Sequence, residues 1–441
     1  MLTVCGALTM TMTVSSLTSA VASASGVTTI TDWSWVPNGQ MGVAGFEKVD
    51  PSVHIDLTDV GAGSSEYTKL STAIAAGSGA PCIAQVEYDH LPAYEAKPGL
   101  VNIAQYGASQ YKSAFPGWVW QLMSNGSAVY ALGQDIGPVG FAYRPAIFTK
   151  YHLAVPKTWA QFGAEAVTLH KDNPNMYMTY FGNDDATMQG LTSQAGGQMF
   201  QENGSSWKVE LNNPSSQKVM SFWGNLIKEG VIPVESLGTP AYGKAIASGE
   251  FASYLEAAWD PTYLGGYMVG APVQQQLLMT NLPQWSSSGK LYAYDFGGSS
   301  YVVTSQCPTA DRAAAVKFLG WLFTSKEGIT LVQGNGNLKP GQPGAGEGEF
   351  AAASARATVP DFNEHVAQFA AQPDVFGMFN VFSGQVRAGF TWSPFENYIS
   401  DEWPTLVTSA TSGSASFSQA LATLQSDTVT YAQQEGFTVS S

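Results

Sequence analysis

Basic side chains, charge in general and clustered histidines are scarce in this sequence, and each shortage excludes a class of function. The 441 residues include 19 Lys and Arg against 34 Asp and Glu, which gives a net charge of −15. Nucleic acid is therefore excluded as a partner, because phosphate binding requires clustered basic side chains. An anionic substrate is disfavoured for the same reason, so we expect a neutral ligand. The five histidines are scattered, so neither a metal site nor a cofactor is predicted.

Cysteine is also rare. The three cysteines, Cys5, Cys82 and Cys307, show no CxxC or Cys/His spacing that would indicate a metal site. Cys82 and Cys307 each lie in an apolar, strand-like run. We therefore predict that both are small buried hydrophobic residues rather than partners in a disulfide.

No run in the first 26 residues is long enough to span a membrane. Residues 8–21 are uncharged and fairly apolar, but short and rich in Ser and Thr. They lead into Ala-x-Ala patterns at residues 20–24, which are typical of signal-peptide cleavage. Alternatively, Cys5 in LTVCG resembles a bacterial lipidation site, although Val4 stands where a small residue is usual. Both interpretations make residues 1–26 a leader and place the protein outside the cell membrane, either released or lipid-anchored at the cell surface.

What the chain does have is length, apolar residues and aromatic rings. Hydrophobic residues make up 44% of a chain whose length predicts two or three domains. The 12 Trp, 19 Tyr and 22 Phe exceed what a core alone requires, and the surplus favours a ligand with flat apolar faces.

Strands alternate with helices, which indicates an α/β fold with open sheets. Residues 27–33 and 53–57 are predicted strands, and the helix predicted at residues 42–49 makes them a βαβ unit with parallel strands. Further strands are predicted at residues 82–88, 128–132, 140–143, 177–181, 251–255 and 291–296. Further helices are predicted to begin near Ser65, after the capping pair Thr158 and Gln161, after Asn213, at Ala310 and after Ser416. Residues 335–349, rich in Gly and Pro, are predicted to form a loop.

Four motifs, in order along the chain, carry a family resemblance. They are TDWSWVP at residues 31–37, GSGAP at 77–81 running into QVEYDHLP at 85–92, FAYR at 141–144 leading to PKTW at 156–159, and FGGSSYVVT at 296–304. With this order and spacing the chain resembles the extracellular solute-binding proteins of carbohydrate-uptake ABC transporters, the relatives of maltose-binding protein. The resemblance covers nearly all of residues 27–441.

The resemblance implies a periplasmic-binding-protein-like fold: two α/β lobes joined by a hinge, with the ligand in the cleft between them. Lobe 1 would comprise residues 27–134 and 297–345. Lobe 2, with the hinge crossings, would comprise residues 135–296 and 346–441. In open α/β sheets, ligands bind outside the carboxyl ends of the strands. The residues expected in the cleft are Trp35, Asn38, Glu87, Tyr88, Asp89, Asp135, Asn183, Asp184, Trp259, Asp260, Gly298, Ser299 and Trp392.

These residue types suit a sugar. Carboxylates and amides bind hydroxyl groups, and indole rings cover the C–H face of a pyranose. Trp259 is the leading candidate for stacking, because the family often places an aromatic residue there. Trp159 and Trp223 lie on apolar helical positions and are predicted to be core residues instead.

The function implied is the exported substrate-binding component of an ABC importer. It would act as a monomer that captures a neutral sugar or oligosaccharide and delivers it to the membrane permease. It would not be an enzyme. Two alternatives stay open: a secreted carbohydrate-active enzyme, which requires a facing pair of carboxylates, and a sugar sensor or adhesin with the same cleft.

Overall fold

The computed structural model describes residues 26–36, 38–268, 276–287, 289–333, 367–372 and 374–440. Its strands are β1 (Thr28–Trp33), β2 (Val53–Thr58), β3 (Ile83–Glu87), β4 (Ser124–Asn125), β5 (Ala128–Val129), β6 (Ala131–Gly133), β7 (Val139–Tyr143), β8 (Phe181–Gly182), β9 (Phe200–Asn203), β10 (Ser206–Val209), β11 (Val234–Glu235), β12 (Ser253–Ala257), β13 (Leu278–Thr280), β14 (Ser299–Val303) and β15 (Thr438–Ser440). Its α-helices are α1 (Gly39–Val49), α2 (Ser64–Ala76), α3 (Leu91–Glu95), α4 (Gly117–Leu122), α5 (Pro145–Lys150), α6 (Trp159–Asp172), α7 (Asp185–Gln194), α8 (Pro214–Lys228), α9 (Pro240–Ser248), α10 (Pro261–Met268), α11 (Arg312–Thr324), α12 (Lys326–Gln333), α13 (Val375–Ser383), α14 (Glu396–Thr411) and α15 (Phe417–Gln434).

The first sheet has five strands in the order β2-β1-β3-β14-β6. Strands β1 and β2 are parallel over six residue pairs, from Thr28 with Val53 to Trp33 with Thr58. This confirms the predicted βαβ unit, whose crossover is α1. Strand β14 arrives late in the chain and runs antiparallel to both β3 and β6. Helices α1, α11 and α12 pack on this sheet, where Phe46 lies edge-on to Phe318 with ring centroids 5.1 Å apart.

The second sheet has three antiparallel strands in the order β12-β7-β13. Its helices enclose an aromatic core that includes Trp159 and Trp223, which are 1% and 0% exposed and whose ring centroids lie 5.4 Å apart. The prediction that these two tryptophans are core residues is confirmed. Helices α14 and α15 pack on each other and α15 packs on α8, which closes the core.

Two short segments carry the chain between the sheets, and they pair with each other. Gly137 donates its N–H to the carbonyl of Gly297 (2.9 Å), and Phe296 donates back to the carbonyl of Gly137 (2.8 Å). Closer to the first sheet, Gln134 donates its N–H to the carbonyl of Ser299 (2.9 Å). These crossings lie at the carboxyl end of β3, so any site there is bordered by both sheets.

Cys82 and Cys307 form a disulfide, so the prediction that they are separate hydrophobic residues is wrong. Both side chains are indeed buried, at 4% and 2% exposure. The pairing was hidden because 225 residues separate them. Antiparallel pairing of β14 with β3 places Val303 opposite Ile83, which brings the residues just beyond each strand together.

The helix boundaries were predicted well because their caps are local. Asn213 caps α8 by accepting hydrogen bonds from the N–H groups of Ser215 and Ser216, and Ser416 with Gln419 forms the complete capping box of α15. At α6, Thr158 accepts from the N–H of Gln161 as predicted, but the side chain of Gln161 accepts from the N–H of Lys157 instead.

Two strand predictions were too long. Residues 291–296 form no ladder; Ala293 and Asp295 make only isolated bridges, because the neighbouring backbone groups pair with the crossing and with Gln385. Of residues 177–181, only Phe181 belongs to a strand. The leader with Cys5 and the predicted loop at residues 335–349 lie outside the described residues. Within the described chain, no helix combines the length and apolarity that a membrane span requires.

Candidate functional site

The candidate site begins where β3 ends. Glu87 is its last residue, and residues 88–90 form a turn, so Tyr88 and Asp89 no longer alternate as they would in a strand. Tyr88 donates its N–H to the carbonyl of Gly298 (3.0 Å), which ties the turn to the second crossing. The structure therefore brings Glu87, Tyr88, Asp89 and Gly298 together.

Asp135 locks the two crossings to each other. Its Oδ1 accepts a hydrogen bond from the N–H of Ser299 (2.6 Å), and its side chain is 5% exposed. Gly298 makes this approach possible: its φ is +132°, and a Cβ there would lie 2.8 Å from the carbonyl oxygen of Asp135. The hydroxyl of Ser299 accepts from the side chain of Gln85 (3.1 Å). The polar groups of Asp135 and Ser299 thus hold the hinge, and their contact with a ligand stays a prediction.

Glu87 is held by its neighbours. The hydroxyl of Tyr67 donates to Oε2 of Glu87 (2.6 Å), and the ring of Trp35 lies edge-on to Tyr67 at 6.1 Å. Burial, together with the nearby charge of Asp89, raises the pKa of Glu87. Trp35 therefore borders the acidic end of the site through Tyr67.

Asn38 lies elsewhere. It precedes α1 in the left-handed conformation (φ 60°) and donates through Nδ2 to the carbonyl of Val332 (3.4 Å), at the end of α12. It lines neither of the two hollows described below. The structure does not bring Asn38 together with the other predicted cleft residues.

Asp295 is a central residue that the sequence interpretation missed. Its Oδ1 accepts from the N–H of Gly137 (3.0 Å), while its Oδ2 has no partner among the described residues, and the side chain is 1% exposed. Burial raises its pKa well above the usual value, and the charges of Asp135 and Asp89 add to the effect. The signal was present in the sequence as a single carboxylate within the apolar run YAYDF at residues 292–296.

The hydroxyl of Tyr88 faces these acids. Tyr88 is 1% exposed and its hydroxyl has no partner among the described residues. Burial raises its pKa, and the nearby charges of Asp135 and Asp295 raise it further. A buried hydroxyl and a buried carboxylate oxygen that lack partners among the described residues are unfavourable, and a polar ligand could bond to both.

Across the cleft, α7 begins with two adjacent aspartates that have different partners. Asp184 caps the helix, because its Oδ1 and Oδ2 accept from the N–H (2.6 Å) and the hydroxyl (3.0 Å) of Thr187. Asp185 accepts from Ser400 (2.9 Å) and Gln189 (2.9 Å). Burial raises the pKa of Asp185, and Asp184 and then Asp89 contribute. Asp89 thus lies within electrostatic range of the opposite wall.

Asn183 is half-buried beside them and donates its N–H to the carbonyl of Glu235 (3.0 Å). Of the two predicted residues after β8, Asp184 therefore acts as a helix cap and Asn183 is fixed through its backbone.

Trp259 and Asp260 lie together in a hollow of about 320 Å³, which we call the aromatic pocket. Trp259 packs against Phe296 and Tyr263, with centroid distances of 5.8 and 6.3 Å. Its indole lies against the crossing, since a Cβ on Gly137 would be 2.5 Å from Nε1. The described residues that line the pocket are Tyr180, Gly182, Thr187, Leu237, Gly238, Tyr242, Leu255, Ala257, Trp259, Asp260, Tyr263, Tyr267, Tyr294 and Phe296.

Trp392 lines a second hollow, of about 230 Å³, which we call the polar hollow. Tyr88 and Tyr130 line it from the side of the first sheet, and Glu202 and Trp392 from the other side. Trp392 is only 1% exposed and packs edge-on to Phe390 at 4.8 Å. Its indole therefore presents little surface to a ligand, although its Nε1 has no partner among the described residues.

Glu87, Asp89 and His90 are the group of described residues that could hold a metal ion, with ligand atoms within 4.8 Å of one another. Exposed acidic groups commonly cluster without an ion, and within the described ranges no fourth ligand joins these three. The arrangement by itself does not make a metal site.

Comparison with known families identifies the type of protein to which this cleft belongs. The family described as bacterial extracellular solute-binding protein matches residues 37–329. The chain belongs to this family. Sugar-binding proteins of ABC transporters are among the relatives of this solute-binding protein.

Two solved structures match it over nearly the whole chain. The ABC transporter-associated binding protein of B. animalis subsp. lactis Bl-04, in complex with β-1,6-galactobiose, is 26% identical with a TM-score of 0.77, covering 94% of this chain and 100% of its own. The galacto-N-biose/lacto-N-biose I-binding protein of Bifidobacterium longum, in complex with lacto-N-biose, is 24% identical with a TM-score of 0.79 and the same coverage. The solute-binding protein therefore has the two-lobed periplasmic-binding-protein fold, as predicted.

One curated relative is the arabinooligosaccharide-binding protein of Halalkalibacterium halodurans, 24% identical over 270 residues. The match covers 59% of this chain and 58% of that protein, so the chain spans less than two thirds of the relative's length. The family model establishes the family of the solute-binding protein, and the features of its own cleft bear on which ligand it binds.

Proposed function

We propose that this solute-binding protein is the substrate-binding component of an ABC importer, and that it captures a sugar or oligosaccharide in the cleft at its two crossings. The observation that carries the proposal is the juxtaposition at that cleft of an aromatic pocket with a buried acidic centre. Asp295 and Tyr88 supply polar atoms that have no partner in the described part of the chain, and Trp259 supplies a ring beside the crossing.

The chemistry of a sugar matches both parts. Its hydroxyl groups form charge-assisted hydrogen bonds with carboxylates, and the C–H face of its ring packs on an indole. Stacking on an aromatic ring contributes about 1 kcal/mol beyond the burial of area. Several such contacts in a site shielded from water are sufficient for micromolar binding, about −8 kcal/mol.

The relatives support the same ligand class. Those proteins bind arabinooligosaccharides, β-1,6-galactobiose and lacto-N-biose. Ligand binding would stabilise the closed arrangement of the lobes, and the permease would recognise that arrangement.

Binding without catalysis is the second part of the proposal. A glycosidase requires two carboxylates that flank the scissile bond and are free to transfer protons. Here Asp135 is bonded to a backbone amide, Asp184 caps a helix and Glu87 accepts from Tyr67. These three acids hold structure, so none of them is free to serve as one of that pair.

The location and lobe boundaries follow from the same proposal. The Cys82–Cys307 disulfide favours an oxidising compartment, hence export, with release and lipid anchoring at Cys5 as the two routes. Lobe 1 would comprise residues 27–134 and 297–345, and lobe 2 the rest of the mature chain. The packing of α11 and α12 on the first sheet and of α14 and α15 on the second core supports this division.

The test is a thermal-shift screen of the purified protein against mono- and oligosaccharides, followed by recovery of the ligand. We expect a saturable rise in melting temperature with the sugar recovered intact. Turnover of the sugar would overturn the proposal that the protein is not an enzyme, and the absence of any shift would contradict sugar binding.

Trp259→Ala is expected to weaken binding at least about 5-fold, because a stacking contribution of about 1 kcal/mol or more is removed. Trp321→Ala is the matched control: it also removes an indole, but one that packs on Phe46 behind the first sheet. We expect that variant to lose stability and keep its affinity, both measured by isothermal titration calorimetry with parallel thermal melts. Unchanged affinity in Trp259→Ala would contradict the stacking role.

A further inference from the structure

The charge lining the aromatic pocket has one sign only. Asp260 is half-buried in its wall, and no lysine, arginine or histidine is among the described lining residues. Asp184 borders it, since its Oδ2 would lie 2.3 Å from a Cβ on Gly182, which lines the pocket. A ligand in this pocket therefore meets carboxyl groups that have no basic side chain beside them among the described lining residues.

A second carboxylate lies behind the first. Glu256 belongs to β12, is 1% exposed, and its Oε1 has no partner among the described residues. Burial raises the pKa of Asp260, and in Glu256 burial and then the charge of Asp260 do the same. No basic side chain lowers either pKa. A carboxylate in such surroundings is costly unless a cation arrives to pair with it.

The remaining wall is aromatic to an unusual degree. Seven of the lining residues are Tyr, Trp or Phe. The hydroxyls of Tyr180 and Tyr242 are 2.8 Å apart, so one donates a hydrogen bond to the other. The negative face of an aromatic ring attracts a cation, and aromatic cages of this kind bind ammonium groups.

We propose, on the basis of the proposed function, that the sugar carries a protonated amino group and that Asp260 pairs with it inside the aromatic pocket. The net charge led us to expect a neutral sugar, and this proposal replaces that expectation with a positively charged one. Negative net charge disfavours anions, but it is equally compatible with a cationic sugar.

A sugar hydroxyl and an ammonium group make different demands on this pocket. Tyrosine hydroxyls and the indole N–H of Trp259 in the wall could serve a neutral sugar. The carboxylate of Asp260 accepts hydrogen bonds from either group, but only an ammonium group also balances its charge. An ammonium group brings three donors and a positive charge, and so matches what the wall presents.

The experiment compares matched ligands on the wild-type protein by calorimetry. Each set contains an amino sugar, its N-acetylated form and its hydroxyl counterpart, for example glucosamine, N-acetylglucosamine and glucose, with galactose-configured and β-1,4-linked disaccharide sets beside them. We expect the amino member of the best-binding set to bind at least about 10-fold tighter than both uncharged members. Because the comparison uses wild type, it does not depend on the folding of a variant.

Asp260→Asn then tests the pairing itself, since it preserves shape and removes the charge. It should cost the amino sugar at least about 10-fold in affinity and the hydroxyl counterpart less than about 3-fold. Asp56→Asn, which removes an exposed acid on β2, is the control and should change neither.

The outcomes separate the two proposals. Equal or tighter binding of the hydroxyl or acetylated sugars overturns the inference and leaves sugar binding intact. An equal loss for charged and uncharged ligands in Asp260→Asn also overturns it, because Asp260 would then serve shape alone. No binding by any member of any set contradicts both the inference and the proposed function.

Discussion

At the scale of single residues, Asp32 and Glu66 are the acids that the proposed function leaves unused. Asp32 is 1% exposed near the end of β1, and Glu66 is 0% exposed in the first turn of α2. Oδ1 of Asp32 and both carboxylate oxygens of Glu66 lack partners among the described residues. Burial raises the pKa of Asp32 to about 8, and burial with the charges of Asp32 and Asp59 raises that of Glu66 to about 9, against a smaller opposing effect of Lys69.

These pKa values predict how stability depends on pH. Because the folded-state pKa values lie above the unfolded ones, near 4, the native state keeps protons that the unfolded chain releases. The stabilisation is complete below pH 4 and is lost as the pH rises towards 8–9. We expect the double variant Asp32→Asn/Glu66→Gln to be about 2 kcal/mol more stable than wild type at pH 9 and to flatten the decline.

Urea unfolding at pH 5, 7 and 9 provides the measurement, and Asp56→Asn, an exposed acid on β2, provides the control. The raised pKa values of Asp32 and Glu66 would be contradicted if wild-type stability stayed constant or rose between pH 5 and pH 9 and the double variant followed the same curve.

Prediction of single residues from the sequence succeeded where the location of a residue depends only on its place after its own strand. Trp259 and Asp260 follow β12 and share the aromatic pocket, as their place after a strand indicated. It could not find partners that come from distant segments. Asp135 bonds Ser299, 164 residues away, which the sequence pattern did not reveal, and its predicted contact with ligand stays a prediction. Cys82 could not be matched with Cys307 by a local pattern for the same reason.

At the scale of secondary-structure elements, the disulfide links two neighbouring strands of the first sheet, β3 and β14, at the end away from the cleft. Cys82 precedes β3 and Cys307 follows β14, whereas Glu87 and Ser299, at the opposite ends, border the site. We expect Cys82→Ser/Cys307→Ser to lower the free energy of unfolding by about 2–4 kcal/mol, since the crosslink restricts the unfolded chain. Ligand affinity should change less than about 2-fold.

Denaturant unfolding and calorimetry measure the two quantities separately, and wild type held in reductant should reproduce the loss of stability. A folded variant with strongly reduced affinity would show instead that the crosslink positions the ends of β3 and β14.

Elements were predictable from sequence to the extent that their signals were local. Helices α8 and α15 begin directly after their side-chain caps, Asn213 and Ser416, as the sequence indicated. Residues 291–296 have the apolar pattern of a strand, but their backbone pairs with the crossing and with Gln385, which no local pattern encodes. The order of the first sheet depends on β14, a strand more than 200 residues from β3, and only the family resemblance anticipated that return.

At the scale of the whole molecule, polar contacts join the two sides of the polar hollow at its rim. Asn125 donates through Nδ2 to Oε1 (3.1 Å) and Oε2 (3.2 Å) of Glu202, and Nζ of Lys97 lies 3.3 Å from Oε2 of Glu435. By the proposed boundaries, each pair links lobe 1 to lobe 2. Trp118 adds a third link through its indole N–H to the carbonyl of Ser383 (3.1 Å). Under the proposed mechanism of lobe closure, such contacts would belong to the closed arrangement that holds the ligand.

Removing the contacts that join the two sides of the polar hollow should therefore change the rate of ligand dissociation more than the rate of association. Exposed polar pairs contribute about 0.2–1 kcal/mol each, so Glu202→Ala/Glu435→Ala should speed dissociation about 2- to 30-fold and leave the association rate nearly unchanged. The effect of the Lys97–Glu435 pair should shrink at high salt, because exposed ion pairs are screened. Glu210→Ala removes the exposed Lys208–Glu210 pair (2.8 Å) within a single proposed lobe and is the matched control in stopped-flow measurements. Dissociation at the wild-type rate in the double variant would mean that the cleft contacts alone hold the lobes closed.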